Sequence, residues 1–131
     1  MYTKNHTTIF ISLLFISISV LLTSCTKDKV YTNLSGDWDL HYEFTTINEE
    51  VDADMELTQT NDQISGTIDD GKDVFTLVQD CCLDGYSVTI KYYAAGNLIK
   101  QTGTVNADFN EMNGTFTVKG VYAGTWEAER D

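Results

Sequence analysis

From residue 37 onward the chain alternates apolar and polar side chains in short runs separated by turn-forming residues. In the first run Trp38, Leu40, Tyr42 and Phe44 alternate with Asp37, Asp39, His41 and Glu43. Successive side chains of a strand point to opposite faces, so such a run has one face fit for a core and one fit for water. A helix would need its apolar residues three and four apart, which these runs do not offer. The pattern recurs in Asp54–Thr60, Ile64–Asp69, Val74–Gln79, Tyr86–Tyr93, Leu98–Val105, Met112–Val118 and Tyr122–Glu129. Asn61-Asp62, Asp70-Gly71, Leu83-Asp84-Gly85, Ala95-Gly96-Asn97 and Lys119-Gly120 read as the turns between them. The acidic stretch from Asn48 to Asp54 reads as a loop. The chain contains no proline, which fits unbroken hydrogen-bond ladders.

About eight antiparallel strands in so short a segment must protect their edges. Closure into an up-and-down β-barrel does this with hairpins alone. A two-sheet sandwich is the alternative, but it needs longer crossovers than this chain offers. The expected fold class is therefore all-β, a single antiparallel barrel. A total of 131 residues allows one such domain.

The N-terminal segment belongs to a different kind of sequence. Ile9 to Leu22 is an apolar run of fourteen residues, about 21 Å as a helix, short of the ~30 Å hydrocarbon core of a bilayer. It has the length of a signal-peptide core. Leu22-Thr23-Ser24-Cys25 follows and resembles a bacterial lipoprotein lipobox. That resemblance implies cleavage before Cys25, a thioether-linked diacylglycerol on its sulfur and acylation of its new amine. Multiple acyl chains give stable membrane anchoring without a spanning helix. The organisation expected is a signal peptide over 1–24, a lipidated cysteine and polar tether over 25–35, and a barrel over 36–131. Thr26 is not an acidic retention residue, which by the same resemblance points to the outer membrane, and Lys27-Asp28-Lys29 lacks consecutive acids that would suggest surface export. The expected place is the bacterial cell envelope, on the periplasmic face.

Within the barrel segment, Gly36-x-Trp38, Gly66-Thr67, Gly114-Thr115 and the closing Gly124-Thr125-Trp126-x-Ala128-x-Arg130 resemble the small lipocalin-like and avidin-like barrels of the calycin group. The resemblance is a pattern of strands and glycines over about residues 34–131. It implies that Trp38 sits at the closed end of the barrel with Arg130 stacked on it. Gly36, Trp38, Gly124, Trp126 and Arg130 are accordingly read as fold residues. Biotin binding is not implied, because no matching polar set is recognisable.

Charge and chemistry narrow the function. Twenty acidic against eight basic side chains give a net charge of −12. Nucleic acid is therefore an unsuitable partner, since its phosphates require a basic surface. His41 lies on a polar strand face with no second His or Cys to complete a zinc set, and no nucleophile motif accompanies it. No catalytic residue, metal or cofactor is assigned, and the chain reads as a non-enzyme. Asp69-Asp70-Gly71-x-Asp73 lacks the later bidentate Glu of a calcium loop and reads as a solvated hairpin. Cys81-Cys82 admits three readings: a vicinal disulfide, reduced thiols with one buried as a small hydrophobe and its neighbour pointing outward, or an intermolecular or ligand role.

The inward aromatics Tyr42, Phe44, Tyr86, Tyr92 and Phe116 are candidates to line a cup. They serve a filled core equally well. Tyr93, on a polar face, is the best candidate for an exposed contact, and Tyr122 a weaker one. Two partners are thus expected besides the membrane at the lipid anchor: a small apolar or amphipathic molecule in the barrel, or an envelope protein docked on a filled one.

Overall fold

The computed structural model describes residues 31–131, and all regular structure among them is β-strand. The expected signal peptide and the expected lipidation site Cys25 lie outside the described residues. The strands are β1 (Gly36–Phe44), β2 (Glu49–Thr60), β3 (Gln63–Asp69), β4 (Val74–Thr76), β5 (Cys82–Asp84), β6 (Ser87–Ala94), β7 (Asn97–Val105), β8 (Glu111–Val118) and β9 (Val121–Arg130). Every pairing is antiparallel, and β9 returns to β1 with Trp38 opposite Arg130 and Phe44 opposite Gly124. The sheet order β2-β1-β9-β8-β7-β6-β5-β3, closed by β2 against β3, is a complete barrel. Closure leaves no continuous free edge to template association.

The barrel has eight staves, because β4 and β5 share one position. β4 pairs with the Thr67–Asp69 half of β3, while β5 meets β3 only at Gln63 opposite Cys82 and then pairs with β6. The expected fourth strand, Val74–Gln79, thus ends early at Thr76, and the stave resumes only at Cys82–Asp84. The expected turn at Leu83-Asp84-Gly85 is corrected as well. Leu83 and Asp84 pair with Val88 and Ser87, so the reversal falls on Gly85 and Tyr86. Both differences have one cause: Cys82–Asp84 takes up the ladder that residues 77–81 leave.

The segment Asn48–Asp54 is not the loop expected from its acidity. Glu49 opens β2, and nine successive residues pair with β1, from Glu49 opposite Phe44 to Leu57 opposite Gly36. Val51, Ala53, Met55 and Leu57 supply the inward face, and the acids between them point to water. Packing against neighbouring strands overrides a weak local preference.

Turn chemistry sets two of the hairpins. Ala95 (φ 50°) with Gly96 (φ 79°), and Lys119 (φ 53°) with Gly120 (φ 80°), are two-residue loops with positive φ at both positions. This is the twist that matches antiparallel strands, and glycine adopts it without a Cβ penalty.

The inward residues form one cluster running through the barrel, with Trp38, Met55, Ile68, Ile90, Met112 and Phe116 all essentially inaccessible. At mid-wall Gly103 faces Gly114 across β7 and β8, and a Cβ on either would collide with the opposing backbone. The space so left takes the indole of Trp126, whose Nε1 donates to the carbonyls of Thr102 (3.2 Å) and Thr115 (3.1 Å).

Candidate functional site

The two ends of the barrel differ in kind. Loops 61–62, 85–86 and 106–110 surround one end, together with residues 31–35. Leu34, expected in the tether, is instead fully buried there. The Trp38 indole donates to the Leu34 carbonyl (3.0 Å), and the Gln59 side-chain oxygen accepts from the Leu34 amide (3.0 Å). The Arg130 guanidinium lies over the rings of Trp38 (4.5 Å) and Tyr31 (4.1 Å). Its N–H groups donate to the carbonyls of Phe109, Ser35 and Asn33. Each of the three guanidinium nitrogens donates to a backbone carbonyl, so this end is a structural plug.

The opposite end is ringed by loops 45–48, 70–73, 95–96 and 119–120. Phe44, Val51, Phe75, Ala94 and Val118 are half-buried there against the core. Around them Ile47, Val74, Tyr93, Val121 and Tyr122 are exposed by half or more. Of the large apolar side chains exposed on the described residues, only Tyr86 lies at the plugged end. An apolar rim concentrated at one end of so acidic a chain is a candidate contact surface.

Beneath the rim lies a polar group of the core, the only one with a buried polar residue among the described residues. Tyr42 on β1, Tyr92 on β6 and Gln101 on β7 all point inward, and Gln101 is wholly inaccessible. The Tyr42 hydroxyl donates to Gln101 Oε1 (2.5 Å) and lies 2.7 Å from the Tyr92 hydroxyl. Since Tyr42 gives its proton to Gln101, Tyr92 donates to Tyr42. Gln101 Nε2 is left without a partner, the only such buried side-chain nitrogen or oxygen among the described residues. Burial drives the Tyr42 phenol well above its usual range and that of Tyr92 to about 12, so both hydroxyls stay protonated.

The cup-lining candidates are therefore divided. Tyr42, Tyr92 and Phe116 are buried, and Phe44 is half-buried at the rim with its ring edge-on to Phe116 at 5.0 Å. Tyr86 does not line the interior: it sits in the β5–β6 turn, 55% exposed, beside Phe109. Starting the strand one residue early gave it an inward parity that it lacks. Gln101 was not singled out in the sequence, although its parity with Ile99 and Val105 marks it as inward.

Cys81 and Cys82 are not joined; both are free thiols, Cys81 buried and Cys82 half-exposed. Cys81 Sγ accepts from the Lys91 amide at 3.1 Å and donates to the Lys91 carbonyl at 3.4 Å. It stands in for the backbone partner that the broken stave fails to offer β6. Burial raises its pKa.

On the outer wall, His41 stands in a groove of about 470 Å³ whose other side chains include Asp39, Asp52, Asp54, Glu127 and Glu129. Its Nδ1 bonds Asp52 Oδ1 at 2.5 Å, and Nε2 is 3.8 Å from Glu43 and 4.0 Å from Glu50. The Asp52 hydrogen bond raises the histidine pKa against a smaller opposing effect of desolvation. These groups are exposed and acidic, and nothing beyond their own mutual contacts points to a ligand there.

No protein-family model and no curated protein matches the sequence. The closed antiparallel barrel of eight staves is itself consistent with a calycin-like fold.

Proposed function

We propose that this chain is a non-enzymatic, lipid-anchored binding module of the bacterial cell envelope that holds a small apolar or amphipathic molecule at the rimmed end of its barrel. The observation that carries the reading is the unpartnered Gln101 Nε2 buried beneath an apolar rim. Binding sites combine apolar walls with a few placed polar groups, and this end offers both. The lipobox resemblance at Cys25 supports the anchor. Thr26 after that cysteine supports an outer-membrane destination, and the lack of consecutive acids in Lys27-Asp28-Lys29 supports the periplasmic face.

A second reading rests on a separate observation. One cluster of buried side chains runs through the barrel, and Tyr93 and Tyr122 stand exposed at the rim. That arrangement suits docking of an envelope protein.

Native mass spectrometry separates the two. The chain from Thr26, secreted without lipid and isolated gently, is expected to carry a reproducible small mass that leaves on denaturation. A bare protein, even after exposure to small molecules from an envelope extract, would transfer the case to protein docking.

A further inference from the structure

We infer that the molecule taken at the rim is bound through an uncharged carbonyl oxygen, that of a ketone, ester or amide, accepting from Gln101 Nε2, and that a carboxylate head is refused. This rests on the proposed function and specifies the chemistry of the same site.

The direction of the hydrogen-bond chain decides what is missing. Tyr92 donates to Tyr42, and Tyr42 donates to Gln101 Oε1. A hydroxyl carries one proton and a carboxamide nitrogen two. The chain therefore ends in a donor, and what completes it is an acceptor. A buried donor without a partner costs about 1–3 kcal/mol, so an acceptor oxygen brought to Nε2 recovers an interaction that the free protein lacks.

The charge of that acceptor follows from what surrounds it. Among the described residues Gln101 is the only polar or charged residue that is buried, so no lysine, arginine or histidine lies in the core. Arg130, a cation that does touch the core, is committed to three carbonyls at the other end. An anion carried under the rim would lose its hydration with no cation to replace it. The protein's net charge of −12 opposes its approach as well. A neutral carbonyl meets neither cost. Its hydrocarbon would lie among Phe44, Phe75 and Val118, which are only half-buried before anything binds. Phe75 packs on Tyr92 with ring centroids 5.3 Å apart, so a ligand reaching the polar trio from the rim would have to displace that ring.

The test uses decan-2-one and decanoate, which share chain length and differ in the head. The nine described strands and the core they enclose belong to one compact unit, residues 31–131, so the lipid-free chain from Thr26 contains the site. The side-chain amide signals of Gln101 are followed by ¹⁵N-resolved NMR during titration, and adducts are counted by native mass spectrometry. The ketone is expected to shift those signals and to bind at least tenfold more tightly than decanoate. Gln101→Met, similar in volume and without the donor, is expected to weaken ketone binding about tenfold, the worth of one hydrogen bond. If that variant fails to fold, the amide shift in the unaltered protein still decides.

Decanoate binding as tightly as the ketone would overturn the inference and leave the binding function standing. So would ketone binding that leaves the Gln101 amide unmoved. If neither probe binds and the Gln101 amide shows exchange with a trapped water, the donor is satisfied by solvent, and both this inference and the small-molecule reading fall.

Discussion

At the scale of single residues, three positions carry chemistry that their neighbours impose. His41 is held by Asp52, and its pKa lies above the ordinary 6.5. A raised folded-state value means that protonation favours the fold. The contribution is complete below pH 6.5 and disappears as pH rises through the raised value. An NMR titration should therefore find the His41 midpoint above 6.5, and Asp52→Asn should bring it back toward that value. A His41 midpoint already at or below 6.5 would contradict the bond. Tyr92 behaves in the same sense at higher pH. Its phenol ionises near 12 in the fold and near 10 when unfolded. The stability it contributes is present below pH 10 and is lost between about 10 and 12. Denaturation midpoints should fall more steeply over that interval for the natural chain than for Tyr92→Phe, which keeps the Tyr42–Gln101 bond. Gln101 was hard to see in the sequence for a physical reason. Parity put it inside, but Leu98–Val105 is polar at several positions, and only tertiary packing reveals which of them water never reaches. The Trp38–Arg130 stack rested on a family pattern, because no spacing rule brings together residues so far apart in sequence.

At the scale of the strand, most of the barrel was legible because one face of each run is apolar and a slip of one residue would expose it. β1, β3, β6 through β9 and their hairpins follow this rule. The N-terminal half of β2 did not look like a strand, because its acids outnumber its apolar residues and Ala53 is small. Its long ladder with β1 supplies what composition withheld. The fourth stave shows the opposite failure. Val74–Gln79 looks continuous, yet the chain pairs only at Val74–Thr76 and resumes at Cys82–Asp84. Between these, β6 is satisfied through Val78 N to Lys91 O at 2.9 Å and through the Cys81 thiol. A wall made of two three-residue strands has few ladder bonds to lose, so it should open first. Hydrogen exchange should be fastest among the strands at residues 74–84 and slowest in β1, β8 and β9. A thiol reagent applied to the folded, lipid-free chain should modify Cys82 alone and reach Cys81 only as this stave opens. Equal labelling of both thiols without exchange in the stave would mean that Cys81 is not held in the ladder.

At the scale of the whole molecule, charge is distributed against the fold's stability. Of the chain's twenty acids, several crowd one wall, where β1, β2 and β9 present Asp37, Asp39, Asp52, Asp54, Glu127 and Glu129 outward. Among the described residues the ion pairs are those of His41 alone, and no lysine or arginine bridges a carboxylate. The crowding reaches the carboxyl-terminal residue: a hydrogen bond to the Asp39 side chain raises the pKa of Asp131. Unfolding spreads these charges apart, so their repulsion weighs on the folded state. Only His41 pairs with carboxylates among the described residues, so there is little attraction for salt to weaken. Screening should therefore act mainly on repulsion, with the Debye length falling from about 30 Å at 0.01 M to about 4 Å at 0.5 M. The melting temperature should rise by several degrees over that range, since about 1 kcal/mol moves a domain of this size by roughly 4–8 °C. Asp54→Lys, which places a cation in the middle of the wall, should raise the melting temperature at low salt and shrink the salt response. A melting temperature that fell with added salt would show that attractive pairs outweigh the repulsion, contrary to the pairing seen here. The barrel holds together against this charge because its core is continuous and its sheet is closed. Among the described residues, the rimmed end is then where exposed apolar side chains gather against this charged background.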